Sequence, residues 1–295
     1  MTRVDVLVAT YKRPAQLERT LRSVERQSLP ADVLLRIVVV DNDALESARR
    51  VVDEFRRRFP ACLYVCEPVA NVSNARNRAL REACADYVAF IDDDEVADEQ
   101  WLHMLLEARR RYAAAVVFGA VVPILPDGTA RWISRGRFFE RPRLDTGAVP
   151  TSGATGNVLM ELHRIRATEI TFDPAYGRSG GEDSDFFHRL SRRGVRSVWC
   201  DDAVVYEHVA ADRTSIRWLL HRAFIGGRNY PGIFQRGMST TRAFASLAVR
   251  AAAFLLNVLA VPVAALAGIA PAVHFCRKSA SHLGRIVGLC RVRVG

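Results

Sequence analysis

The sequence predicts an α/β protein with a mainly parallel, doubly wound sheet and an apolar helical tail. Short apolar runs alternate with amphipathic stretches as far as Val121, polar residues gather where those runs end, and every acidic residue lies before Arg213. Apolar runs at residues 4–9, 34–40, 62–65, 87–91 and 115–121 read as strands, because each is short and rich in Val, Ile, Phe or Tyr. Between them, residues 15–27, 45–59, 73–83 and 99–112 carry helical periodicity, and strand-helix alternation of this kind implies parallel pairing. Residues 123–150, with many Gly, Pro and Arg, read as an irregular connection or a hairpin excursion over one edge. A Gly/Ser/Thr stretch at 151–157 precedes another short apolar run, and a glycine loop then opens a helix running to about Arg193. Residues 195–200 and 204–208 read as further strands, and residues 215–226 as an amphipathic helix leading into the tail. The expected organisation is a catalytic domain over residues 1–212, an amphipathic helical connection over 213–242 and a basic, apolar, membrane-associated tail over 243–295.

Charge separates the two halves of the chain. Of 42 Lys and Arg and 32 Asp and Glu, residues 213–295 hold 12 basic and no acidic residues, so the formal charge of +10 belongs to the tail and the rest is slightly acidic. Basic residues that flank an apolar stretch, rather than interleave with aromatics over a folded surface, argue against nucleic acid as a partner. They suit an anionic membrane surface instead. Residues 251–276 are uncharged, with Arg250 before them and Arg277 and Lys278 after, which reads as a membrane-embedded segment. Pro262 and Pro271 interrupt the run, leaving a span, a bent re-entrant segment and an interfacial helix all open. A buried helix packed on the soluble domain is the plainer alternative, weakened by the absence of acids.

The N-terminal apolar run is broken by Asp5 and Lys12, too early for a secretory signal, so the catalytic part is expected on the cytoplasmic face of the membrane. Six cysteines without a CxxC pair or clustered histidines signal neither a zinc site nor a disulfide framework.

Chemistry concentrates at a few places. In IDDDE, residues 91–95, successive carboxylates at the end of a buried strand repel one another unless a cation or hydrogen-bond donors offset them. Mg2+ or Mn2+ would do so and would hold a diphosphate as well; a solvated turn capping the next helix is the bland alternative. NVSNARNRAL offers Arg76 and Asn77 for phosphate or sugar contacts, a weak signal in a chain this rich in arginine. GGEDSDF presents Glu182, Asp183 and Asp185, one of which could be a general base, although acids in a first helical turn also complement the helix dipole. His208, in VVYEHV, is a candidate metal ligand or acceptor contact, or simply a satisfied polar residue.

Taken together and in order, VLVATYKRP, VVVDND, NARNRAL, VAFIDDDE, TGNVLM, FDPAYGRSGGEDSDF and VVYEHV resemble the family 2 glycosyltransferases of the GT-A fold, membrane-associated and of the exopolysaccharide or envelope-glycan type, over about residues 3–230. The resemblance implies that Thr10, Arg13 and Asp41 line a nucleotide pocket with Arg76 and Asn77 nearby. It implies a DxD pair of Asp92 and Asp94, with Asp94 closest to the metal and Asp93 or Asp92 on the ribose or donor sugar. Gly156 and Asn157 match a donor-sugar loop, Asp183 the catalytic base, Glu182 and Asp185 its acceptor side, and His208 a position that completes metal coordination in some members. The implied reaction is inverting transfer from a nucleotide-diphosphate sugar, a UDP-sugar foremost, to a hydroxyl of a glycan or polyprenyl-linked acceptor. Asn42 in place of a second acid, and Val72 and Ser73 in place of a glycine before the ARN element, leave uridine, thymidine and guanosine diphosphates open. Two other readings compete: a membrane-tethered scaffold that binds a sugar nucleotide without turnover, and a GT-A-like nucleotidyltransferase. TYKRP is not the Gly-rich phosphate loop that the latter requires after its first strand.

Overall fold

Side chains alternate along an extended strand, so β1 (Thr2–Thr10) sends Val4, Val6 and Val8 to one face and Leu7 to the other. Both faces are covered, which is why the run is apolar almost without interruption. The structure is a computed structural model that describes residues 1–290. After β1 come α1 (Pro14–Glu25), β2 (Val33–Asp41), α2 (Arg49–Arg56), β3 (Cys62–Cys66), α3 (Val72–Glu82), β4 (Tyr87–Ile91), β5 (Glu95–Ala97), α4 (Trp101–Tyr112) and β6 (Val116–Ile124). The second half holds α5 (Arg131–Arg135), β7 (Asn157–Glu161), α6 (Leu162–Arg166), α7 (Glu182–Arg192), β8 (Ser197–His208), α8 (Ile216–Phe234), α9 (Thr240–Leu266) and α10 (Ile269–Leu289).

The eight strands form one sheet in the order β3-β2-β1-β4-β7-β6-β8-β5. β1 pairs in parallel with β2 and β4, β2 with β3, and β6 with β8, while β7 runs antiparallel to both β4 and β6, and β5 antiparallel to β8. The alternation through β4 therefore gives the parallel half expected of it, and β7 inserts between β4 and β6, so the fifth apolar run does not continue that half directly. Leu17, Leu21, Val24, Trp101, Leu102 and Leu105 of α1 and α4 pack on the Val4 face, and Ala75, Ala79, Phe186 and Leu190 of α3 and α7 on the Leu7 face. The two runs read as separate strands near the end of this half are one strand, β8. Its partner β6 takes up residues 201–203 in a register shift between Gly119 and Ala120. A side chain at Gly119 would put its Cβ 2.3 Å from the Ala203 carbonyl oxygen, so the irregularity needs glycine.

One buried charge ties this half together. Asp5, 2% exposed, accepts from Arg36 Nε at 2.8 Å and Nη2 at 2.6 Å and from the backbone N–H groups of Cys84 at 2.7 Å and Ala85 at 3.2 Å. Asp5→Ala strands those donors, and the expected loss is about 3 kcal/mol, at the lower end for a broken buried pair because Arg36 keeps some solvent. A denaturant midpoint within error of the parent would refute that role.

The chain divides into two compact units. The first comprises Met1–Ile124, Arg141–Arg178 and Glu182–His208; the second comprises Leu125–Glu140, Ser179–Gly181 and the chain from Val209 on. In the second unit Ile133, Phe138, Leu219 and Val273 form a small apolar core. α8 and α10 approach closely: a Cβ at Gly284 would lie 2.1 Å from the Phe224 carbonyl oxygen, and one at Gly288 2.2 Å from that of Arg228. α9 is long and apolar enough to cross a membrane, and almost none of it is covered; Phe244, Leu256, Leu259, Val263 and Leu266 stand exposed. The uncharged run breaks at neither proline expected to interrupt it. Pro262 lies inside α9 and Pro271 in the first turn of α10, where no intrahelical N–H bond is lost, and the break comes at Gly268, φ +119°.

Candidate functional site

Parallel pairing of β1 with β4 brings their carboxyl ends side by side, with Thr10 ending one strand and Asp92 following the other. Ligand sites in open α/β sheets lie at such ends. Lys12 turns the chain at φ +56° and Pro14 starts α1, which leaves Arg13 directed at the acidic run. Thr10 Oγ1 donates to Asp93 Oδ2 at 2.7 Å, while Arg13 Nη1 donates to Asp93 Oδ1 at 3.1 Å and to Asp94 Oδ2 at 3.0 Å. The Thr20 hydroxyl binds the carbonyls of Asp93 and Glu95 at 3.0 and 2.6 Å, pinning the turn to α1.

The charge arrangement is tense. Burial pushes the Asp94 carboxyl up to about 6, helped by Asp92 and Asp93 and opposed by Arg13, and burial raises Asp93 too. Glu95 is fully enclosed and held well above the carboxylate range by burial and by Asp92. Its Oε2 accepts from the Asp92 N–H at 2.9 Å, while Oε1 has no hydrogen-bond partner among the described residues. A Cβ at Gly156 would sit 2.5 Å from that Oε1 and 3.2 Å from Asp92 Oδ2, so only glycine lets β7 begin this close to the acids.

Arg76, on α3, joins the acidic run to the start of α7. Asn71 caps α3 by accepting from the N–H groups of Ser73 and Asn74, which sets the helix so that Arg76 faces the sheet end. Its Nη1 donates to Glu182 Oε1 at 2.5 Å and its Nη2 to Asp92 Oδ1 at 3.2 Å. Asp183, next to Glu182 and half-buried, accepts from the Ser184 N–H at 2.7 Å, and Asp185 is buried against Arg189. Gly180 and Gly181, at φ +79° and +97°, lead into this turn, and Asn229 Nδ2 donates to the Gly180 carbonyl at 2.5 Å.

Thr10, Arg13, Arg76, Asp92, Asp93, Asp94, Gly156 and Glu182 thus converge, with Asp183 alongside. Other expected site residues commit their side chains to the protein. Asp41 accepts from the N–H groups of Asp43 and Ala48 and from the Tyr64 hydroxyl, organising the loop after β2. Asn77 exchanges two hydrogen bonds with the backbone of Phe172. Asn157 accepts from Trp101 Nε1 and donates to the carbonyls of Ala120 and Ala203, tying β7, β6 and β8 together.

His208, at the end of β8, donates its backbone N–H to the Asp94 carbonyl at 3.1 Å, and burial and Arg19 hold its imidazole below the usual value, in the neutral form that binds metals. Two carboxylates and an imidazole, Asp92, Asp94 and His208, suit Mg2+ or Mn2+ as a donor set, and the crowding at Asp94 is what a cation would relieve. Among the described residues no three His, Cys, Asp or Glu side chains form a ready cage, and Arg13 supplies the positive charge in this arrangement.

Sequence reasoning missed Glu95, Thr155 and Arg141. Glu95 Oε1, Thr155 Oγ1 and Glu182 Oε2 are buried without hydrogen-bond partners among the described residues, and Arg141, bonded to Glu207 at 2.6 Å, adds positive charge near Glu95 and Asp92. The fourth acid of IDDDE was a visible signal; Arg141, inside the irregular stretch, gave none.

Residues 5–160 match the sequence profile described as Glycosyl transferase family 2. The chain is 38% identical over 229 residues to the succinoglycan biosynthesis protein ExoM of Rhizobium meliloti, covering 77% of this chain and 74% of that one. To the glucosyl-dolichyl phosphate glucuronosyltransferase of Haloferax volcanii it is 26% identical over 244 residues, 76% and 75% of the two chains. S. aureus TarS 1–349 in complex with UDP-GlcNAc superposes with a TM-score of 0.56 at 16% identity, covering 97% of this chain and 90% of that one, a likeness of fold.

Proposed function

The chain belongs to glycosyl transferase family 2 and is a glycosyltransferase, and on that premise we propose that it moves a sugar from a nucleotide-diphosphate sugar, a UDP-sugar first, to a hydroxyl of a glycan or lipid-linked acceptor. The observation that carries this reading is the convergence of Thr10, Arg13, Asp92, Asp93, Asp94, Arg76 and Glu182 at the carboxyl ends of β1 and β4. The UDP-GlcNAc complex of the structural neighbour supports a UDP-linked donor. The names of the two relatives support a polysaccharide or lipid-linked acceptor.

In the proposed mechanism Asp92, Asp94 and His208 would hold Mg2+ or Mn2+, which would offset the charge of the departing diphosphate. Arg13 and Arg76 add positive charge beside it, and Asp93 with Gly156 shapes the space for the ribose or donor sugar. The acceptor oxygen attacks the anomeric carbon as the bond to the diphosphate breaks, the electron pair leaves with the diphosphate, and Asp183 takes the hydroxyl proton. One displacement inverts the anomeric centre. Glu182 and Asp185, each held by an arginine, shape the acceptor side; Asp41, Asn77 and Asn157 support the nucleotide and donor pocket by fixing the loops around it.

The domain scheme proposed with this reading keeps residues 1–212 as the catalytic part, 213–242 as a helical connection and 243–295 as a membrane-associated tail on the cytoplasmic face. Within the second unit the first turns of α10 pack through Ala270 and Val273 on Ile133 and Phe138, beside Arg131, Arg135 and Arg137. Tying the start of α10 to this arginine-rich segment favours α9 lying in the membrane surface on its exposed apolar side over α9 crossing the bilayer.

Thermal melting with UDP, dTDP, GDP and ADP, with and without Mn2+, tests the reading. One nucleotide at about 100 times its dissociation constant is expected to add about 2.7 kcal/mol of stability, and Asp94→Ala to remove the Mn2+-dependent part of the shift. A folded protein that no nucleotide stabilises would sink it.

A further inference from the structure

Cations without carboxylates gather where α9 meets α10. Arg250 stands sixteen residues before the end of α9 and Arg285 sixteen after the start of α10, so the Gly268 turn brings both to one level of the hairpin, about 24 Å from the turn. His282 has Arg250, Arg285 and Lys278 as its charged neighbours, and Arg285 has Arg250. Arg250, His282 and Arg285 are half-buried, and Nδ1 of His282 and Nε of Arg285 are enclosed without a hydrogen-bond partner among the described residues. The Arg285 guanidinium lies 4.0 Å over the Tyr230 ring, which fixes its direction. Among the described residues none of the three is in an ion pair, and residues 213–295 contain no Asp or Glu to supply one. Like charges crowded in this way cost stability unless an anion completes the set.

We propose that Arg250, His282 and Arg285 form a binding site for the phosphate group of an anionic membrane lipid. The site rests on the reading of α9 as a membrane-surface helix, which would place these cations at the depth of lipid headgroups. Two guanidinium forks and an imidazole as mutual neighbours match a tetrahedral phosphate, with its several acceptor oxygens, better than a carboxylate. Both a bulk phospholipid and the phosphate of a polyprenyl-linked acceptor present that chemistry.

The test uses the full chain and sedimentation with vesicles of phosphatidylcholine alone, with phosphatidylglycerol, or with polyprenyl phosphate, beside thermal melting with inorganic diphosphate. The parent is expected to prefer at least one of the two anionic vesicles over phosphatidylcholine by about tenfold or more. The Arg250→Gln/Arg285→Gln variant is expected to lose that preference, to keep its binding to phosphatidylcholine, and to melt no lower without lipid, because a like-charge repulsion has been removed. Arg250→Gln alone leaves the Tyr230 stack intact and should lose part of the preference. A preference confined to polyprenyl phosphate assigns the acceptor lipid, one shared by both vesicles assigns bulk phospholipid, and inorganic diphosphate raising the melting point of the parent more than that of the double variant, whose nucleotide site is intact, supports the phosphate chemistry itself. Variants that keep the full preference, or that melt several degrees lower because the arginines serve packing, would overturn the proposal. The nucleotide shift, read without lipid in the same samples, separates failure of this site from failure of the transferase reading.

Discussion

Asp183→Asn is expected to lower sugar transfer by about 10^3-fold while the nucleotide-dependent rise in melting temperature survives. Three acids occupy the first turn of α7, and their partners separate them. Glu182 is buried and held by Arg76, and Asp185 is 1% exposed and held by Arg189. Asp183 is half-buried and accepts from the Ser184 N–H through Oδ1. Asparagine keeps that acceptor and the size of the side chain, so the turn should fold as before, but an amide cannot take a proton from an acceptor hydroxyl. The donor contacts proposed for Thr10, Arg13 and the Asp92–Asp94 run are untouched, which is why binding and turnover should part company. The measurement is transfer rate and nucleotide thermal shift on the same preparation. Transfer within about tenfold of the parent would remove Asp183 as the base.

The parallel half of the sheet was legible because its strands are buried on both faces and its helices keep an apolar stripe; observed and expected bounds agree closely for β1, β2, β3 and β4. The insertion of β7 between β4 and β6 was not, since strand direction depends on where a long irregular connection returns, and residues 123–150 carry no periodicity that says so. The tail shows a similar limit. Hydropathy saw one uncharged run and its prolines, whereas the break depends on the positive φ that Gly268 alone adopts easily. At the site, residue type exposed the acidic run and the ED pair but not which polar side chains are already spent. Asn157 reads as a ligand contact in TSGATGN, yet its three hydrogen bonds join strands far apart in sequence.

Arg76→Met should cost about 3–5 kcal/mol of folding stability at neutral pH and remove nucleotide stabilisation, the largest combined effect expected of any single change at the site. Methionine fills similar space, so what is lost is charge and donors: Glu182, 6% exposed, keeps its carboxylate with no cation against it, and Asp92 loses its tie to α3. In the parent, burial already raises the Glu182 carboxyl while Arg76 pulls it down. Without Arg76 it rises further, so the folded variant binds a proton that the unfolded chain releases, and stability falls as pH climbs through the interval between the unfolded and folded values. The deficit relative to the parent should therefore be largest near pH 7 and shrink as pH is lowered toward the ordinary carboxylate range. Arg76→Met combined with Glu182→Gln should recover much of the loss, because the buried charge goes with its partner. Arg76→Lys restores one charge but cannot reach two carboxylates as a guanidinium does, and should fall between parent and Arg76→Met in both stability and nucleotide shift. Chemical denaturation of the four proteins at pH 5 and pH 7 decides the matter: a deficit that is the same at both, and that the double change does not relieve, would mean that Arg76 acts through packing and not through the carboxylates it joins.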